Sequence, residues 1–306
     1  MTTLSETSRA FLEKHNMNYD VQKLPSAFKN PDGTYTDVPE QFHLVRSSDN
    51  AAIDPSTVKG GYAPMTPMQM IAPLDPLVAE GWITPDCGHI FKGGSYEVIT
   101  FRIDGGQLDD GGNIAGESWT HYVSVHNHQG GGGKLKGSIH SHRIVCTNTA
   151  VRAARMASFG IRHTGEIQQN YEWAIQTWKK LQEEIRQISK RMEVFASKQV
   201  SPTDSVEILR TIYGVNNVPV ADISTRTANE LQFAVREFSN PQRGTRGQSL
   251  ADVYNAITAT NSHYSPKGSK ETSEKRLASL FDEQGSRNKL ELDAMNVLLD
   301  LAGIAD

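Results

Sequence analysis

The sequence predicts an α+β protein: an antiparallel β-sheet with a long hairpin, a β-β-β-α core, then a mostly helical C-terminal half with a long heptad helix. Three observations predict it. Tyr96–Ile103 and Trp119–His128 carry the two-residue alternation of half-buried strands. A glycine-rich tip, 129–133, joins the second of these to Lys134–Cys146 as a hairpin. From Thr149 the period becomes helical, and between Glu166 and Lys198 apolar residues recur at steps of three and four.

Taken in order, the first 45 residues read as an N-terminal arm, polar and broken by turn signals at Pro31-Asp32-Gly33, with a short strand over Phe42–Arg46. A short helix is expected near Asp75–Glu80. The core domain is expected over residues 46–165. In it, Gly137 would mark a bulge, and Thr149 would cap a helix over Ala150–Ser158 that Gly160 stops. Residues 166–306 form the helical region. Its long helix presents Trp178, Leu181, Ile185, Ile188 and Met192 along one seam, which is expected to contact another helix of the chain or a second copy. Pro202 ends it. Shorter helices are expected over Pro202–Tyr213, Thr227–Phe238, Leu250–Asn261 and Ser273–Leu301, the last with a break at Gly285.

Composition narrows the function. The chain has 306 residues and a net charge of −4, so a globally basic nucleic-acid binder is excluded. Two cysteines, Cys87 and Cys146, cannot make a disulfide framework, and a reducing, cytoplasmic setting is expected. No apolar run is long enough for a membrane span. The average charge hides a local asymmetry. From Ser118 to Gly165 there is no Asp or Glu, and six cations stand there: Lys134, Lys136, Arg143, Arg152, Arg155 and Arg162. That stretch carries +6 and the rest of the chain −10. A focused positive element on an acidic body attracts polyanions. The expected ligand is the phosphate backbone of single-stranded DNA, with Trp119 and Tyr122 offering faces to unpaired bases.

Catalytic and metal readings are weaker. Gly130–Lys134 fails the phosphate-loop pattern, because Leu135 stands where Ser or Thr is required. His126-Asn127-His128 and His140-Ser141-His142 each place two imidazoles on one strand face. In a hairpin closed at 128 and 134, however, the two pairs lie roughly 13 Å apart, too far to share an ion. Cys146 ends an apolar strand and reads as a buried thiol, not a nucleophile. No cofactor, metal or enzymatic activity is expected.

Arg143-Ile144-Val145-Cys146-Thr147-Asn148-Thr149 resembles the signature of the DUF932 family of phage- and plasmid-like proteins. Val58-Lys59-Gly60-Gly61-Tyr62-Ala63-Pro64, Gly93-Gly94, Ile161-Arg162-His163-Thr164 and Tyr254-Asn255-Ala256-Ile257-Thr258 are similar to further family segments. The likeness covers roughly residues 45–300. The chain departs from it at the hairpin tip, where Gln129 and four glycines replace an Asp-Gly turn. The resemblance implies a mobile-element protein acting in a bacterial cytoplasm. The order of strands, hairpin and helix also resembles, at the level of fold, the Rad52-like single-strand annealing proteins, which implies a homo-oligomeric ring or filament. The competing expectation is a non-enzymatic protein-interaction module, an anti-defence or assembly factor.

Overall fold

The computed structural model describes residues 4–104, 113–114, 117–129, 134–144, 150–152, 158–162, 171–241, 245–265 and 285–304. The fold is α+β, with two antiparallel sheets and a helical C-terminal half. The chain divides into two compact units, each assembled from three stretches of sequence: residues 1–107, 122–139 and 157–182 in the first, and 108–121, 140–156 and 183–306 in the second.

The first unit opens with α1 (Glu6–Lys14). Ser5 caps it by accepting from the Ser8 amide, and the Ser5 amide and hydroxyl donate to Asp75 at 2.9 and 2.6 Å. This fixes α1 to α3 (Asp75–Ala79). Between them, α2 (Pro67–Ile71) is closed by a capping box of Thr66 and Gln69. Strands β1 (Val21–Lys29), β2 (Tyr35–Arg46) and β3 (Ala52–Lys59) form the smaller sheet. Its core is Tyr19, Val21, Leu44, Ile53 and Val58, with Phe42, Tyr62 and Ile90 packed against them. The first 45 residues are therefore built into the unit through a helix and two strands, more structure than their polar composition suggests.

The larger sheet runs in the order β10-β8-β7-β5-β4. Its strands are β4 (Ile83–Phe91), β5 (Tyr96–Ile103), β7 (Glu117–His128), β8 (Lys134–Ile144) and β10 (Ser158–Arg162); β6 (Asn113–Ile114) pairs with β7 and β9 (Ala150–Arg152) with β8. Helices α1 to α3 pack on β4 and β5. Gly88 explains how α1 comes so close. A Cβ built there would stand 2.6 Å from Met17 Sδ and 3.3 Å from Phe11 Cζ, so the helix side seats its sulfur where the strand has no side chain.

The described ends of the helix expected over Ala150–Ser158 are strands. Residues 150–152 are strand β9 and residues 158–162 are strand β10, both antiparallel to β8. Ladder pairing with β8 overrides a weak helical pattern in a stretch that contains Val151, Phe159 and Ile161, residues at home on a pleated surface. Gly160, expected as a helix stop, sits inside β10 opposite Lys136. Against β10, Gly137 makes no bulge. It pairs with Phe159 in unbroken register.

Helix α4 (Tyr171–Ser197) begins in the first unit and ends in the second. Trp178 is 4% exposed, Ile185 2%, Ile188 1% and Met192 3% in the single chain. Of the two expected partners, the chain itself takes the seam at these four residues, which are not open to a second copy. Within the first unit, the Trp178 ring lies 5.6 Å from that of Trp82. Leu181 belongs to the same helix, but its side chain lies outside what is described.

In the second unit, α5 (Pro202–Ile212), α6 (Thr225–Phe238) and α8 (Ser286–Ala302) surround α7 (Leu250–His263). From Asp252 to Asn261 every residue of α7 is buried, as expected of a helix enclosed by others. Ser201, Ser224 and Ser249 cap three of these helices. Residues 273–284, expected as part of the last helix, lie outside the described residues. Among the described residues no helix is long and apolar enough to cross a membrane.

The turn into α7 yields a stability prediction. Gly247 has φ +69°, and a Cβ there would meet Ser239 Cβ at 2.7 Å and Ser239 Cα at 3.3 Å. Left-handed strain and overpacking together should make Gly247→Ala about 2–4 kcal/mol less stable in urea unfolding. An unchanged urea midpoint would show that this turn yields freely.

Candidate nucleic-acid interface

The basic element is organised by the register of β8 with β10. Arg162 pairs with Lys134, Ile161 with Leu135, Gly160 with Lys136 and Phe159 with Gly137. Strand alternation therefore places Lys134, Lys136 and Arg162 on one face and Leu135, Phe159 and Ile161 on the other. Leu135, on the second face, is 1% exposed. Three cationic positions share the face opposite, and two of them, Lys134 and Arg162, are direct cross-strand partners.

The remaining cations divide. In the second unit His142 pairs with Arg152 and Arg143 with Val151. Arg143 and Arg152 thus occupy opposite faces of the β8–β9 ladder, so the six cations of the acid-free stretch do not share one face. Arg152 belongs to a strand, not to a basic helix. Arg155 lies outside the described residues, as do Cys146 and the glycine tip, 130–133.

The two aromatic candidates also differ. Trp119 is 6% exposed and offers no open ring face to a base, which corrects its assignment as a stacking residue. Trp119 has the parity of Val123 and Val125, so the strand alternation itself puts it on their buried face. Tyr122 is half-buried and pairs in register with Arg102. Burial first, then the Asp86 charge, pushes its phenol above the ordinary value. It shares a sheet face with Ser124, His126 and His128. There, Tyr96 Oη lies 2.8 Å from His126 Nδ1 and the Tyr96 ring is stacked 4.2 Å from that of His128. His126 is thereby tied into the sheet. Among the described residues no three His, Cys, Asp or Glu side chains are grouped to hold a metal ion.

Sequence reasoning missed the polar cluster on the other face. Glu97 is fully buried and pairs in register with Asn127. Tyr19 Oη donates to Glu97 Oε1, and Asn127 Nδ2 donates to Glu97 Oε2 at 2.7 Å. Gln129 Nε2 donates to Glu97 Oε2 at 3.4 Å and also to the Met65 carbonyl. The Gln129 amide donates to the Ser95 carbonyl at 2.9 Å. Burial pushes the Glu97 carboxyl up to about 7, against the lowering effect of these hydrogen bonds and of Arg46. Burial and the Glu97 charge raise the Tyr19 phenol far above its usual value. The cluster anchors the last residues of β7, immediately before the hairpin tip that leads to Lys134. A signal was present: Glu97 has the parity of Ile99, Phe101 and Ile103, so the alternation that identified the strand puts a carboxyl on its apolar face.

These features define an α+β protein built on an antiparallel sheet with a basic strand pair and a buried polar anchor at the root of its hairpin. The chain belongs to the DUF932 family, a domain of unknown function, whose family model matches residues 55–288. No curated protein and no solved structure matches the chain, and the likeness to Rad52-like annealing proteins has no support from a solved fold.

Proposed function

We propose that the protein binds single-stranded DNA through its phosphate backbone and promotes annealing or recombination for a phage or plasmid, in the cytoplasm of the bacterial host. The observation that carries this reading is the Lys134–Arg162 cross-strand register, with Lys136 on the same face, inside a 48-residue stretch without a single carboxylate. Like charges placed directly opposite on a sheet oppose its formation. A polyanion laid along that face relieves the repulsion and releases its own counterions. Phosphate contacts of this kind need no catalytic residue and leave bases free to meet a complement. Homo-oligomers would give the site length.

The test is fluorescence anisotropy of a labelled single-stranded oligonucleotide across a salt series. Affinity is expected to fall steeply, by one to several orders of magnitude, between about 50 and about 200 mM salt. Absence of binding at the low-salt end overturns the proposal. Sizing the protein with and without the oligonucleotide tests assembly in the same samples.

A second reading, a non-enzymatic interaction module, is favoured by one observation. The β1–β2 hairpin carries Leu24, Phe28 and Tyr35 at 47%, 55% and 69% exposure. Isolated apolar side chains at a surface are ordinary, but this hairpin exposes them on both faces, Phe28 beside Thr36 on one and Tyr35 beside Lys29 on the other. If this reading holds, a host protein retained by the wild type and lost with Phe28→Ser/Tyr35→Ser accompanies a failure to bind DNA.

A further inference from the structure

In the helical unit, α5 and α7 end and α6 and α8 begin around one cleft of about 600 Å³. That volume is typical of small-molecule sites. Thr260 and Asn261 are buried in its floor; Thr225, Arg226 and Ser286 are exposed at its rim. Two helix beginnings face two helix ends, so the peptide dipoles largely offset one another. Selectivity falls to the side chains.

Those side chains repeat. Helix α6 starts Thr225-Arg226 and α8 starts Ser286-Arg287: a hydroxyl at the first position and a guanidinium at the second, each lining the cleft. Asn261 Nδ2 donates to the Arg287 carbonyl and to Glu291 Oε1, both at 2.9 Å, which fixes the start of α8 against α7. Arg226 Nε donates to Glu230 Oε1 at 3.0 Å, and its side chain is 75% exposed. That contact uses one nitrogen of the guanidinium and leaves the Nη edge, the geometry that takes two oxyanion oxygens at once. Glu230 is the one carboxylate in the described lining, against two guanidinium groups. The Tyr213 hydroxyl, beside Thr260 and Glu230, adds a donor; burial first, then the Glu230 charge, holds its phenol neutral at ordinary pH. Two arginines and the hydroxyl residues Tyr213, Thr225 and Ser286 line the cleft, a donor-rich set. They suit the three terminal oxygens of a phosphomonoester.

We propose that this cleft binds a phosphomonoester group, held by Arg226 and Arg287 and oriented by Thr225 and Ser286. A free nucleotide and the 5′ end of a DNA strand both carry that group. The site is separate in sequence from the basic strand pair and does not rest on it.

The experiment is isothermal titration of the full chain with AMP, with adenosine and with inorganic phosphate. It is repeated for Arg226→Gln/Arg287→Gln, whose fold is checked by its melting curve, and for Lys134→Ala/Lys136→Ala/Arg162→Ala. AMP or phosphate is expected to bind and adenosine not to. The paired arginine variant should lose roughly tenfold or more in affinity, the worth of charge-assisted hydrogen bonds. The strand variant should bind as the wild type does. A 5′-phosphorylated oligonucleotide compared with its 5′-hydroxyl twin, titrated into the strand variant, separates the sources: a preference for the phosphorylated strand assigns strand ends, and binding of AMP alone assigns free nucleotides. No binding of AMP, phosphate or the phosphorylated strand overturns the proposal. So does AMP affinity that the arginine substitutions leave unchanged. Neither outcome depends on whether backbone binding at β8–β10 survives its own test. If the arginine variant does not fold, Arg226→Gln alone, at an exposed side chain, decides the question.

Discussion

Replacing Lys134, Lys136 and Arg162 together by alanine is expected to cost most of the proposed DNA affinity without a loss of fold. Both halves of this expectation come from one register. Arg162 lies directly opposite Lys134, and Lys136 follows on the same face. Each cation that meets a phosphate contributes about 0.7 to the salt slope on a single strand, so removing three should flatten that slope by about 2. At low salt the affinity should drop by roughly a hundredfold or more. The same substitutions relieve a like-charge pair, which is worth about 0.2–1 kcal/mol between opposite strand positions. The variant should therefore melt at the wild-type temperature or slightly above it. Full DNA affinity with an unaltered salt slope would remove these three residues from the interface. A variant that lost both binding and its melting transition would be replaced by the single change Lys136→Ala, whose partner is Gly160.

Glu97 gives the second large effect, on stability. Its carboxyl titrates at about 7 in the folded protein, against an ordinary value of 4.5. The folded state thus holds the proton more tightly than the unfolded chain. The stabilisation linked to that proton is complete below pH 4.5, declines as pH rises, and is gone once pH passes 7. The difference in pKa corresponds to roughly 3 kcal/mol. Glu97→Gln keeps the neutral form at every pH. Its amide can accept from Asn127 and Gln129 and donate to Tyr19, as the protonated acid does. The variant should match the wild type near pH 4.5 and exceed it by about 3 kcal/mol near pH 8, measured by chemical unfolding at several pH values. A gap between the two proteins that stays constant with pH would mean that the carboxyl does not titrate in this window. Because Asn127 and Gln129 adjoin the hairpin tip, the wild-type hairpin amides should also be less protected from exchange than those of Glu97→Gln at the same pH above 7, and equally protected near pH 4.5.

Much of the fold is legible where one period acts alone. Tyr96–Ile103 is a strand over the residues that the alternation delimits, and Pro202 starts α5 because its fixed φ suits a first helical turn. The long helix is marked by its apolar steps, but those steps do not reveal whether its partner is the same chain or another. Burial of Trp178 and Ile185 answers that for the seam. Legibility fails where pairing partners decide. The stretch 150–162 contains Ala, Arg and Met, good helix formers, yet the described parts of it are strands because β8 offers two lengths of ladder to pair with. Strand β4 went unseen because Pro85, Asp86 and Gly88 interrupt its pattern. The structure shows a register shift between Pro85 and Cys87 and a seat for Met17 at Gly88. At the candidate interface, composition identified the cations but not their division between faces, since that depends on strand parity relative to the core. The cleft was not legible at all: Arg226 and Arg287 are 61 positions apart in the chain, and helix packing joins them.

The interleaving of the two compact units has a consequence for how this protein can be inherited and dissected. Each unit takes three separate stretches of the polypeptide, and the chain passes from one to the other five times. No single scission releases an intact half. A protease nick between residues 107 and 183, or a recombination junction between divergent genes at the same place, severs both units at once. Autonomous fragments are thus not expected from this chain, and recombination should preserve residues 108–182 as one indivisible cassette.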